Sequence, residues 1–303
     1  PMLVQYSNGY AEVKIDNKTV SLAGVDSRSP WGAQYADVVY EGILYRTGTT
    51  RLTFLFSDSL DDGNPVAFGP VRSARYGHVY LREEWQGGLV FRGGPEAVDN
   101  DIQKLLKTLG AYEKGVAFDL ETNLTRNYSE RVKGVKSPEN LSADIIGLRA
   151  LIPSDYVSQP RAFLFADLNP YTDGYAFAYQ INLDWGDERN ISHFKYDELS
   201  NVYYRYCGDV MFKSFESVDN RAEEDMIPLT FANVIIQRVE YEYAHNNKTM
   251  PQMQCIGEGN ADIFIGGRYI AGYWVRESAD DPTIYYDDQG NEIQLTRGKT
   301  FIA

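Results

Sequence analysis

Cysteine and histidine are nearly absent from this 303-residue chain, which has two of the first, Cys207 and Cys255, and three of the second, His78, His193 and His245. So few thiols exclude a disulfide framework, a zinc ribbon and an iron–sulfur site. Either the two cysteines bridge each other or they stay as separate buried thiols. The histidines are scattered with no His-x-x-x-His spacing, so no metal and no cofactor are expected. Basic residues are also short: 29 Lys and Arg stand against 43 Asp and Glu, a net charge of −14. Such an acidic surface repels phosphate backbones and excludes nucleic acid as a partner. No run of 18 apolar residues occurs, so no segment reads as a membrane-spanning helix. There is no Gly-x-Ser-x-Gly elbow, and Gly93-Gly94 is followed neither by a third glycine at dinucleotide-binding spacing nor by the Gly-Lys-Ser/Thr of a phosphate loop.

What is present is apolar and aromatic. The chain is 43% hydrophobic and 14% aromatic, with 23 tyrosines. Tyrosine suits half-buried strands, so much β-structure is expected. The length suggests two domains, and the pattern changes near residue 165. We expect an α+β protein: an N-terminal α/β layered domain over 1–165, then a mostly antiparallel β domain over 166–303, forming a small sandwich or open barrel. In the first half, strands at 11–15 and 20–23 come first. Residues 37–45 and 51–56 then form a hairpin around Thr47-Gly48-Thr49. Val71, Ala74, His78, Leu81 and Trp85 fall at helical spacing after Gly69-Pro70. A second helix is expected from Pro95 through Val98, Ile102, Leu105, Leu106 and Leu109, capped by Gly110. A third starts with Ser142 as N-cap and stops before Pro153. In the second half, strands are expected at 176–183, 193–196, 202–206, 233–243, 261–265, 269–276, 283–286 and 293–295.

The stretch Gly69-Pro70-Val71-Arg72-Ser73-Ala74-Arg75 is the most distinctive for chemistry. A Gly-Pro entry into a helix leaves the first amides unpaired and electropositive. Arg72, Ser73 and Arg75 add donors, making a pocket for a phosphate or carboxylate. Arg92-Gly93-Gly94 forms a second strand–glycine–helix junction, where the glycines bring backbone donors close to a ligand. Asp37 and Glu41 sit roughly 13 Å apart along one strand face, too far for a glycosidase pair, which needs about 5–9.5 Å. They are read instead as partners of the arginines. Either they orient Arg72 and Arg75 toward an anion, or they neutralise them internally. Asp58-Ser59-Leu60-Asp61-Asp62-Gly63-Asn64 resembles a calcium loop only superficially, because Leu60 takes a ligand position; it is read as a solvated turn. The tyrosines around 203–206 and 269–274 read as sheet packing, with a glycan or peptide groove as the alternative.

Several stretches together resemble a known family. Ala36-Asp37-Val38-Val39-Tyr40-Glu41, Thr49-Thr50-Arg51-Leu52, Gly69 to Arg75, Gly93-Gly94-Pro95-Glu96-Ala97 and Pro138-Glu139-Asn140-Leu141 are followed by Phe231 to Ile236, Gly272-Tyr273-Trp274-Val275-Arg276 and Gly298-Lys299-Thr300. In this order they resemble the YerB-like lipoproteins of Gram-positive bacteria, over nearly the whole chain after residue 30. The resemblance implies N- and C-terminal family domains, a signal peptide and a lipidated cysteine upstream of Pro1, and hence an extracytoplasmic protein tethered to the membrane by its lipid alone. It supplies no activity. Arg92 stands where the family usually has histidine before Gly-Gly, and Glu139 where it has Pro-His-Asn; a catalytic role for those histidines would be lost here, which favours binding. The expected function is therefore recognition of an anionic ligand, such as a cell-wall fragment, by Arg72, Ser73, Arg75, Arg92, Gly93 and Gly94, with Asp37, Glu41 and Arg51 beside them. The alternatives are a hydrolase or transferase acting on wall polymers, using Glu41, Ser73 or Glu139, and a docking scaffold without a small ligand.

Overall fold

A computed structural model describes residues 1–303 except 9, 16–17, 24–28, 58–59, 61–66, 162, 187–189, 222 and 245–246, and gives no side chains for 10–15, 18–23, 223, 244 and 247–249. His245 and, apart from Leu60, the whole of the 58–64 turn lie outside the described residues.

Eleven described strands form one central sheet: β1 (Met2–Ser7), β2 (Val38–Ile43), β3 (Thr50–Phe56), β4 (Gly88–Phe91), β5 (Ala117–Asp119), β6 (Ala176–Phe177), β7 (Asn233–Gln237), β8 (Gly257–Ile265), β9 (Arg268–Arg276), β10 (Ile284–Asp287) and β11 (Thr300–Ile302). Their spatial order is β5-β4-β1-β3-β2-β11-β7-β8-β9-β6, with β10 also paired to β9. Two parallel blocks stand in it. In one, β4 lies between β5 and β1; in the other, β11 lies between β2 and β7. The remaining pairings are antiparallel, and β2 and β3 form the expected hairpin.

Strand alternation splits the core between the two faces of this sheet. Val4, Tyr6, Val39, Leu52 and Phe54 pack on one face, and Leu3, Val38, Tyr40 and Leu55 on the other. Helix α1 (Tyr76–Trp85) and helix α2 (Ile102–Thr108) cover the second face through Val79, Leu81, Ile102 and Leu106. The first face is covered by a separate sheet built on Ser192–Asp197 and Val202–Cys207, whose Phe194 and Tyr203 join the core beside Phe301. A buried Leu or Phe side chain of this kind contributes about 1.5–3 kcal/mol.

The α+β architecture is as expected, with an N-terminal mixed block and antiparallel sheets later. The C-terminal strands, however, do not close a sandwich or barrel of their own. β7 to β11 extend the sheet begun by the N-terminal half, because the short apolar β11 inserts between β2 and β7 and is buried by both halves. The expected run 233–243 divides into β7 and a hairpin strand, Tyr241–Ala244, and 176–183 divides between two sheets. The helices are also shorter than their apolar periodicity suggests. Residues 71–75 are extended: Val71 N donates to Leu141 O, Arg72 N to Gln5 O and Ala74 N to Gly93 O. Those amides bond across the sheet edge, so no helical turn forms until Tyr76. Val98 is an exposed hairpin tip, and α2 begins only after Asp101, whose side chain accepts from Lys104 N. Gly110, at φ +70°, ends it as expected. The third helix, α3 (Ile145–Arg149), is capped by Asp144, while Ser142 lies in a strand. Tyr203 and Trp274 are buried core residues, and Cys207 and Cys255 are separate buried thiols.

Candidate functional site

The Gly69–Arg75 segment crosses the carboxyl end of the β5-β4-β1 block. Peptide bond Gly69–Pro70 is cis, and Val71 bridges to Tyr6 of β1. Arg51 projects from β3 beneath this segment. Its Nη1 donates to Ser73 O at 2.8 Å and to Ser73 Oγ at 3.1 Å. Arg75, the N-cap of α1, donates from Nη1 to the same Ser73 Oγ at 2.8 Å and to Ala74 O at 2.8 Å. Its Nη2 reaches Tyr45 Oη at 3.4 Å, with the guanidinium 5.8 Å from the Tyr45 ring centre. Two guanidinium groups therefore converge on one hydroxyl.

Both are buried, at 4% and 8% exposure, and no carboxylate pairs with either among the described residues. The Nε atoms of both are buried and lack an acceptor. Burial, and then the proximity of Arg75 and Arg72, pushes the Arg51 pKa well below that of a free guanidinium. Burial lowers Arg75 likewise, with a further contribution from Arg72. His78, whose Nδ1 accepts from Arg75 N at 3.0 Å, is pushed well down by burial and by the two arginines, so it is neutral at pH 7.

The other expected site residues fall into place unevenly. Arg72 is paired with Glu139 and partly exposed. Arg92 meets Glu121 at 3.2 Å on the surface, and its amide donates to Arg72 O. The two positions at which the sequence departs from the YerB-like pattern thus both touch Arg72. The Gly93 amide is not free for a ligand: it donates to Asp119 Oδ1 at 3.0 Å, with Gly93 at φ +63°. Gly94 packs on Ile102, where a Cβ would meet Ile102 Cγ1 at 3.0 Å. Neither carboxylate expected to hold the arginines does so. Asp37 accepts from Ser57 N and Oγ at 2.8 Å. Glu41 lies opposite Leu52, whereas Arg51 lies opposite Gly42, so strand alternation sends Glu41 and Arg51 to opposite faces of the sheet. Nor is the arginine set a helix N-terminus, because Arg72 and Ser73 precede α1.

Glu41 instead meets Arg205, which sequence reasoning missed. Arg205 Nη2 lies 3.0 Å from Glu41 Oε2, with both side chains fully buried. Asn8 and Thr50 donate to Glu41 Oε1 at 2.9 and 2.6 Å, and the guanidinium of Arg205 rests 4.6 Å from the Phe212 ring. The signal was available in the sequence: Arg205 occupies an inward position of the alternating strand Val202–Cys207. Glu41, held by Arg205 on the sheet face opposite to Arg51, does not join Ser73 and Glu139 in one cleft.

Beside Arg75 a cavity of about 480 Å³ opens at the carboxyl ends of β2, β11 and β7, bounded by Ile43, Arg75, His78, Leu81, Ile236 and Met253. Such crevices past the ends of parallel strands are where open α/β sheets bind ligands. Among the described residues, no group of three or more His, Cys, Asp or Glu side chains is placed to hold a metal ion.

Residues 6–158 match the N-terminal domain of the protein family of unknown function DUF3048, and residues 181–302 match its C-terminal domain. The chain belongs to the DUF3048 family. Among solved structures, it is similar to the crystal structure of YerB protein from Bacillus subtilis, with 18% identity and a TM-score of 0.71 over 99% of this chain and 89% of that one. At that identity the likeness speaks for the fold. No curated protein matches the chain. The boundary between the two DUF3048 domains does not interrupt the central sheet, which draws strands from both.

Proposed function

We propose that this DUF3048 protein is an extracytoplasmic, lipid-anchored binding protein of the cell envelope that takes a carboxylate or phosphate group at Arg51, Ser73 and Arg75. One observation carries the reading: two buried guanidinium groups share the Ser73 hydroxyl, have unpartnered Nε atoms, and form no ion pair with a carboxylate among the described residues, Glu139 acting on Arg51 only from beyond contact. A buried cation without a counter-charge costs several kcal/mol, and an anion that binds there removes that cost. The envelope placement is supported by the YerB-like resemblance.

Titration of the purified protein with inorganic phosphate and with acetate, followed by calorimetry and thermal unfolding, tests the site. Both anions stabilise the wild type, Arg75→Gln loses the effect, and Arg92→Gln keeps most of it. Equal anion responses in wild type and Arg75→Gln end the reading. Metabolic labelling with a radioactive fatty acid in a Gram-positive host producing the full-length gene product tests the anchor; an unlabelled product counts against it.

A further inference from the structure

Of the three anion-site residues, Arg75 lines a cavity whose other walls are chemically unlike it. Leu81, Ile236, Val239, Pro251 and Met253 make an aliphatic lining, and about 480 Å³ falls within the range of small-molecule sites. Helix α1 forms the floor, presenting Gly77, His78, Leu81 and Glu84 on one side. At 1.5 Å per residue, the helix runs about 10 Å from Gly77 to Glu84.

The ionic groups along this wall, Arg75 excepted, are already engaged or solvated. Glu41 is held by Arg205. Glu84 accepts from Arg276 Nη1 at 3.1 Å and from Thr283 N at 2.9 Å. Arg238 is paired with Asp262, and Asp184 is exposed and accepts from Gly186 N. The buried donors left over are Arg75 Nε and, in the same wall, Trp185 Nε1. The cavity therefore offers one positive charge without an ion-pair partner at the start of α1 and a mainly apolar surface beyond it.

Resting on the anion-site reading above, we propose that the ligand is an anionic amphiphile: a carboxylate or phosphate head at Arg75 with a single apolar chain laid along α1 toward Leu81. A sugar or peptide in the same space would face aliphatic side chains and polar ones already bonded within the protein, as Tyr40 Oη is to Trp85, Tyr241 Oη to Ile43 N, Thr53 Oγ1 to Gln5 and Gln237 Oε1 to Tyr285. An uncharged hydrocarbon would leave Arg75 without a counter-charge.

Calorimetry of the whole chain with acetate, hexanoate, octanoate and decanoate, all below their aggregation concentrations, tests this. Affinity rises about fourfold per added methylene until the cavity is filled. Decyl phosphate compared with decanoate tells which head is preferred, and tighter binding of either than of its short counterpart supports the proposal. Decanol binds at least tenfold more weakly than decanoate, and the gap closes in Arg75→Gln. Val239→Trp, at a partly exposed wall position, abolishes the chain-length gain while leaving short-anion binding in place. Equal binding of acetate and decanoate overturns the amphiphile and spares the anion site. Equal binding of decanol and decanoate to the wild type overturns the role of the head. Failure of every anion, short or long, removes both readings together.

Discussion

Two arginine clusters lie on opposite faces of one sheet and have opposite electrostatic characters. On the face covered by the second sheet, Arg205 meets Glu41 with both side chains fully buried, and Asn8 and Thr50 complete the carboxylate's hydrogen bonds. On the helical face, Arg51 and Arg75 share a hydroxyl and are ion-paired to no carboxylate among the described residues. Glu41 and Arg51 project from the neighbouring strands β2 and β3, one register step apart. That step decides which guanidinium is neutralised by the fold and which is left for a ligand. The paired cluster fastens two sheets together, and the unpaired one stores unfavourable burial that an anion relieves.

The comparison can be broken most severely at the paired cluster. Glu41→Ala leaves Arg205 buried without its counter-charge and is expected to destabilise by about 3–5 kcal/mol, measured by urea unfolding; a loss below about 1 kcal/mol would show that Arg205 does not depend on Glu41. The converse experiment gives the unpaired cluster its own carboxylate. Ser73→Asp places an acceptor where both guanidiniums already point, and is expected to raise stability by about 1–2 kcal/mol while abolishing phosphate binding. A destabilised variant that still binds phosphate would contradict it.

Acid sharpens the contrast further. His78 has a folded-state pKa depressed well below its unfolded value of about 6.5 by burial and by Arg51 and Arg75. Below about pH 6.5 the unfolded chain takes up a proton that the native one refuses, so stability falls on acidification by up to about 1.4 kcal/mol per pH unit. His78→Gln keeps an acceptor for the Arg75 amide and flattens that slope between pH 7 and 5.5, as thermal unfolding at several pH values would report. The smallest effect is expected at the surface. Arg92→Ala breaks an exposed pair with Glu121 and changes stability by no more than about 0.5 kcal/mol; a larger loss would place Arg92 among the working arginines.

Much of the site was legible in the residues, but not its wiring. Gly69 to Arg75 stands out as a cationic stretch, and the family resemblance sets Arg51 beside it. The error lay in the local conformation. Val71, Ala74 and His78 fall at helical spacing, yet the amides of 71, 72 and 74 are taken by Leu141, Gln5 and Gly93, partners remote in sequence that periodicity cannot reveal. The expected pairing of Asp37 and Glu41 with those arginines fails for the same reason, since nothing in 36–41 says that Arg205, 164 positions away, claims Glu41 first.

The hairpin of β2 and β3, the α+β class and the acidic surface follow from the order of the residues, because strand alternation, turn residues and net charge are local or additive properties. The folded chain settles that β11 joins the two halves into one sheet, that the cavity opens at the ends of β2, β11 and β7, and which arginines remain unpaired. Those outcomes depend on which distant side chain reaches a charge first, and charge pairing acts through space rather than along the chain.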